Sequence, residues 1–208
     1  MAWEPPGKDC GACGARSCAE FAGLMAAGLR IGPDCPYYPA GSPGPAFPGP
    51  ATYSGKDVLG FAYDFVLEPF PGEPSAQKLI QPFRPDLVER WGIGPGDMVI
   101  GRPLGQGCPV HHGLRVIDAN GITGVIRCFT VGPLEARRSP DVHDVQGYHV
   151  IGFEGIARTV LREPAFGLRQ RFLPGYCMLH LAHTGVVNMV LKKAIGTHVR
   201  IEDIRIMS

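Results

Sequence analysis

Residues 10–36 read CGACGARSCAEFAGLMAAGLRIGPDCP and carry cysteines at 10, 13, 18 and 35, a spacing of C-x2-C-x4-C-x16-C. How these four thiols are used decides how the rest of the chain divides. Directly behind them, residues 36–50, PYYPAGSPGPAFPGP, hold six prolines and three glycines. Such a segment makes a partly polyproline-like, semi-rigid linker rather than a packed element. The expected organisation is a cysteine-rich head over 1–37, a Pro/Gly linker over 38–54 and a body over 55–208.

The N-terminus, MAWEPPGKDC, has neither a basic run nor an apolar core, so no secretory signal is expected. No apolar stretch approaches the ~20 residues that span a bilayer, and the run at 186–191 is interrupted by Asn188 and followed by Lys192 and Lys193. The expectation is a cytoplasmic protein with no membrane span. In a reducing compartment clustered thiols serve as metal ligands more readily than as disulfides. The odd total of seven cysteines agrees with that, because a disulfide framework would leave one over.

Four thiolates are what a cubane cluster requires, one per iron. Gly11 and Gly14 let the loop wrap an inorganic core and offer backbone N–H groups to its sulfides. Cys18 opens a helix over 18–29, with Phe21, Leu24, Met25, Gly28 and Leu29 on one face, and its positive end suits a net negative cluster. Gly32-Pro33 ends that helix, and Cys35-Pro36 returns the last ligand. A four-cysteine zinc site is the competing reading, but zinc normally pairs two C-x2-4-C knuckles and the second half here has none.

Cys10-x2-Cys13-Gly-x3-Cys18-x2-Phe21-Ala22, followed by Asp34-Cys35-Pro36, resembles the small 4Fe–4S domain of the corrinoid iron–sulfur protein large subunit. A similar module occurs in the B subunit of the Rnf electron-transport complex. The resemblance implies that Cys10, Cys13, Cys18 and Cys35 bind one 4Fe–4S cluster, and that the head passes single low-potential electrons. It covers only residues ~8–37. The corrinoid-binding region expected behind the motif is missing, so corrinoid binding is not implied.

The body is of another kind. Gly and Pro together make 50 of 208 residues, about twice their usual share, which excludes a mostly helical chain. Short β-like runs lie at 59–67, 98–100, 114–117, 122–131, 148–153 and 199–206, and Asn120-Gly121 is a hairpin signal. Helices are expected at 85–91, at 156–161 and over 176–193. The fold class is therefore α+β: a small head with one helix, a linker, then a compact antiparallel β-rich domain with a C-terminal helix. A small barrel is one form that domain can take.

Net charge is +1, with 20 basic and 19 acidic residues, which disfavours a nucleic-acid binder. Residues 1–75 carry 4 basic and 8 acidic side chains against 16 and 11 in 76–208, an anionic part and a cationic part. That split suits either mutual docking of the two parts or two faces for different partners, a redox protein among them. Two body segments, Gly105–Gly113 and Phe172–Gly185, each contain C-x2-H. If 176–193 is helical, Cys177 and His180 share a face, as do His180 and His183. Cys108, His111, Cys177, His180 and His183 are thus candidates for a catalytic thiol–histidine site or for a Cys2His2 metal site. Such a site would take a small molecule or a metallocofactor. The competing reading makes Cys108, Cys128 and Cys177 buried hydrophobes. Three functions follow: an electron-transfer protein or accessory subunit, which is favoured; a redox enzyme or metallocofactor maturation factor; and a zinc-headed interaction module.

Overall fold

The computed structural model describes residues 3–7, 9, 13, 15–27, 29–30, 32–35, 37, 53–104, 106–108, 110–132, 135–136, 139, 141–175, 177 and 179–206. The chain divides into two compact units, 1–52 and 53–208. Cys10 and the linker read at 38–54, apart from Tyr53 and Ser54, lie outside the described residues.

The first unit is built on α1 (Cys18–Ala26) and a turn of 3-10 helix at Gly32–Asp34. Ser17 caps α1, its hydroxyl accepting the Glu20 N–H at 3.1 Å, and the Glu20 carboxylate accepts the Arg16 N–H at 2.6 Å. This is close to a capping box. The helix ends at Ala26, three residues short of the expectation. There the Leu29 N–H folds back onto the Leu24 carbonyl at 2.9 Å, a six-to-one closure, and Leu29 is left exposed. Ala15, Phe21 and Cys35 form the unit's buried core, with Trp3, Cys13, Leu24 and Met25 packed against it.

Among the described residues the second unit holds nine strands: β1 (Phe65–Glu68), β2 (Gln77–Pro82), β3 (Met98–Pro103), β4 (His112–Asn120), β5 (Val125–Val131), β6 (Val142–Arg158), β7 (Arg169–Pro174), β8 (His183–Lys193) and β9 (Gly196–Ile206). A short α2 (Asp86–Arg90) lies between β2 and β3, within the expected helix at 85–91. The molecule is thus α+β, with one helix in the head and a β-rich body. β4 and β5 form the hairpin signalled by Asn120-Gly121, and the Asn120 side chain accepts the N–H groups of Ile122 and Thr123.

Strand β6 organises the body. Its first half pairs in parallel with β3 and its middle antiparallel with β2, while its second half pairs antiparallel with β9 and β1. The remaining ladders close two five-stranded circuits, β6-β2-β5-β4-β3 and β6-β9-β8-β7-β1. Closure removes the open edges that short strands would otherwise expose. Gly155 permits the crossing, since a Cβ there would lie 2.3 Å from the Glu68 carbonyl oxygen. Tyr148, Phe153 and Phe172 fill the shared core.

Two helical expectations are corrected. Residues 156–158 end β6 instead of starting a helix. The stretch 183–193 is β8, paired with β7 on one side and β9 on the other. A continuous apolar run does not separate helix from strand by periodicity. Three β-branched valines and burial at every second residue from His183 to Val187 suit the strand.

Candidate functional site

In the first unit, Cys18 opens α1 and its N–H donates to the Asp9 carboxylate at 2.6 Å. Cys35 is buried in the small core and Cys13 packs against the same core. Among the described residues no three Cys, His, Asp or Glu side chains surround a common metal position, and Cys10 is not among those residues. The donor set itself fits an iron–sulfur cluster. Four thiols are soft ligands in the right number, and of the three described Cys18 opens a helix, Cys35 is buried and Cys13 is partly buried beside it.

In the second unit, a cavity of about 40 Å³ opens where strands of the two circuits meet. That volume suits a few waters or a group of few atoms. Its wall is mostly apolar, with Val150, Phe153, Leu181 and Ile206 among the lining side chains. The ionisable groups on it are Lys78, Cys108, His112, Cys177 and His183.

Each is delivered by local structure. Lys78 sits in β2 opposite Cys128 on β5 and Phe153 on β6, and it is 8% exposed. Cys108 follows Gly107, whose φ of +92° lets the loop close on β9, where the Ile206 N–H donates to the Gln106 carbonyl at 2.9 Å. Cys177 follows a turn fixed by the Gly175 N–H, which donates to the Leu67 carbonyl at 2.7 Å. His183 begins β8, edge-on to Phe153 and Phe172.

Lys78, His112, Cys108 and the neighbouring Tyr148 lie in one chain of contacts. The Tyr148 hydroxyl donates to His112 Nδ1 at 2.8 Å, and Lys78 Nζ lies 3.4 Å from the same nitrogen. With Nδ1 accepting, the ring carries its proton on Nε2, which lies 3.9 Å from Cys108 Sγ. Burial, and after it the Lys78 charge, pushes His112 down to about 3 and His183 down to about 4. Both rings are therefore neutral at neutral pH. Burial also lowers Lys78, opposed only by the thiols of Cys128, Cys177 and Cys108. The Tyr148 hydroxyl is held protonated, well above its usual range, chiefly by burial.

Of the five body candidates, the fold brings Cys108, Cys177 and His183 to one cavity. His111 is exposed and absent from it, while His112 takes the position that C-x2-H spacing assigns to His111. His180 stacks on Tyr53 with ring centroids 6.3 Å apart and does not line the cavity. The helical face expected to join Cys177, His180 and His183 does not form, because β8 starts at His183 and Cys177 lies in the loop before it. No Cys2His2 arrangement exists among the described residues. Cys128 is fully buried and pushed up to about 12 by burial, an inert core thiol. Lys78, His112 and Tyr148 were not apparent from the sequence. The available signal was Lys78 between Ala76 and Ile80 at period two, a lysine on the face that strand alternation turns inward.

Among the described residues no helix is long and apolar enough to cross a membrane. No solved structure matches the chain. An uncharacterized protein of Methanocaldococcus jannaschii is 29% identical over 205 residues, covering 91% of this chain and 86% of that protein. Residues 6–37 match the family described as "Putative Fe-S cluster", and the N-terminal segment therefore carries an iron–sulfur motif.

Proposed function

We propose that the chain is an electron-transfer protein or accessory redox subunit in which Cys10, Cys13, Cys18 and Cys35 hold one 4Fe–4S cluster. On this reading residues 1–37 are the cluster domain, 38–54 the linker and 55–208 a β-rich domain, all in the cytoplasm. The match of residues 6–37 to an iron–sulfur family carries the reading, and the four-thiol spacing supports the cubane type over a two-iron centre or zinc. Such a cluster, when bound, supplies one electron at a time to a partner redox protein or to a site in the same chain. The chain's own part is to supply four thiolates and to shelter Cys35 beside Phe21. The Asp9 carboxylate on the Cys18 N–H adds negative charge at the helix start, which disfavours the reduced cluster.

Anaerobic iron and sulfide analysis with EPR after dithionite reduction tests this. About four irons and four sulfides per chain, a broad band near ~400 nm and a reduced-state signal are expected. One zinc, no sulfide and no signal would overturn the reading in favour of a zinc-headed interaction module.

A second reading, a redox enzyme or metallocofactor maturation factor, is favoured by Cys108 and Cys177 lining one cavity. Its test is the Cys108→Ala, Cys177→Ala double variant assayed with the partner. Unchanged turnover with an intact cluster rejects a thiol function in the body.

A further inference from the structure

We propose that Lys78 is the reactive amine of a small-molecule site in the body, condensing with a small aldehyde or 2-oxo acid to form an imine. The inference is independent of the cluster and rests on the cavity alone. Among the described residues the ionisable groups that line it are one amine, two imidazoles and two thiols, with hydroxyls from Ser75 and Thr130 and no carboxylate. Such a lining offers no carboxylate to a hard cation, no three of its Cys and His side chains surround a common metal position among the described residues, and it presents several nucleophiles to an electrophile. Lys78 is 8% exposed, and its side-chain partners are the Phe153 ring, 5.5 Å from Nζ, and His112 Nδ1 at 3.4 Å. Burial without a facing carboxylate among the described residues disfavours the ammonium, so Lys78 gives up its proton more readily than an exposed lysine and presents a lone pair for attack. Desolvation activates lysine nucleophiles in this way.

The step balances without an oxidant or reductant. Nζ adds to the carbonyl carbon, and one nitrogen-bound proton passes to the carbonyl oxygen. The second nitrogen-bound proton then leaves with that oxygen as water, and the C=N bond forms. Tyr148 is a positioning residue: its hydroxyl, 2.8 Å from Nδ1, sets the ring between Lys78 and Cys108. The volume of about 40 Å³ limits the substrate to a few atoms, or admits the carbonyl end of a larger one.

Glyoxylate, both an aldehyde and a 2-oxo acid, is the probe. The full chain is incubated with glyoxylate and sodium cyanoborohydride at pH 7, and the modified peptides are read by mass spectrometry. Lysines 8, 56, 192 and 193 compete within the same molecule. Lys78 is expected to be modified at least about tenfold faster than Lys192 and Lys193, with a rate that levels off well below pH 10. Modification of the exposed lysines while Lys78 stays intact would overturn the proposal. Equal thermal protection by acetate and by glyoxylate, with slow Lys78 labelling, would also overturn it, making the cavity a carboxylate site. The labelling uses the native chain, so the result stands even if Lys78→Met does not fold.

Discussion

Lys78 lies between Cys128 and Phe153 in its ladders, and the two imidazoles on the same cavity are kept neutral by that enclosure. An unfolded histidine takes up its proton near pH 6.5, whereas folded His183 does so only near about 4. Between those values the unfolded chain binds more protons, so stability present above pH 6.5 is lost as pH falls toward 4. The contribution of His183 is about 3 kcal/mol by the usual conversion. Urea midpoints at a series of pH values check this: His183→Gln is expected to lose about 2–3 kcal/mol less than wild type between pH 6.5 and 4. Equal losses would mean that protons reach His183 in the folded state. On the other unit, Asp9→Asn is expected to raise the cluster potential and to weaken the α1 start by about 1 kcal/mol, read by EPR-monitored titration and helix protection. At this scale the sequence showed Cys108 and Cys177 through their C-x2-H settings, and His183 only through its spacing from His180 on a helix that does not form. It did not distinguish His111 from His112, because only the extended strand decides which of two neighbours faces inward. Lys78 was hidden for a related reason. Lysine in a β run is ordinarily solvated, and the neighbours that bury it come from strands about 50 and 75 residues onward.

Strand β6 was legible only in its middle, at 148–153, and its seventeen residues serve both circuits. Nothing local marks the reach of such a strand, since its ends are defined by which partners arrive. The same applies to 183–193, part of the helix expected over 176–193 and made a strand by β7 and β9 on either side. Gly155 carries the consequence. Its absent Cβ is the space occupied by the Glu68 carbonyl oxygen at 2.3 Å, with the Leu67 side chain at 3.2 Å. Backbone on the far side cannot turn aside as a flexible side chain would, so Gly155→Ala must part β6 from β1. We expect a loss of about 3 kcal/mol or more, seen as a lower urea midpoint with an unchanged slope. Gly60→Ala, at a φ of +85° with open space around the added Cβ, is the comparison that carries backbone strain alone. It should cost about 1 kcal/mol.

The two units differ in what can hold them together. The second has a core of more than twenty buried side chains around Tyr148, Phe153 and Phe172, and closed circuits without free edges. The first has Ala15, Phe21 and Cys35 as its buried core. Among the described residues these and Gly32 are its buried positions, a core that offsets little conformational entropy, and small domains of this kind rely on metal or disulfide cross-links. Its thiols would then be structural as well as redox groups, since ligation fixes the loop, the helix start and the return turn at once. Cysteine spacing and proline content are local signals that the sequence displays directly, whereas the circuits of the body are not. The cluster reading therefore predicts an asymmetric response to iron removal. Anaerobic chelation should abolish amide protection in Cys18–Ala26 and free the Phe21 ring. The β signal of the body should remain, and its unfolding midpoint should shift by no more than about 2 °C, given that ~1 kcal/mol moves a domain of this size by a few degrees. Hydrogen exchange read residue by residue, with far-UV circular dichroism on the same sample, measures both halves. Retained protection across α1 in the iron-free chain would show that the head folds without its ligand and would remove the structural role assigned to the cluster.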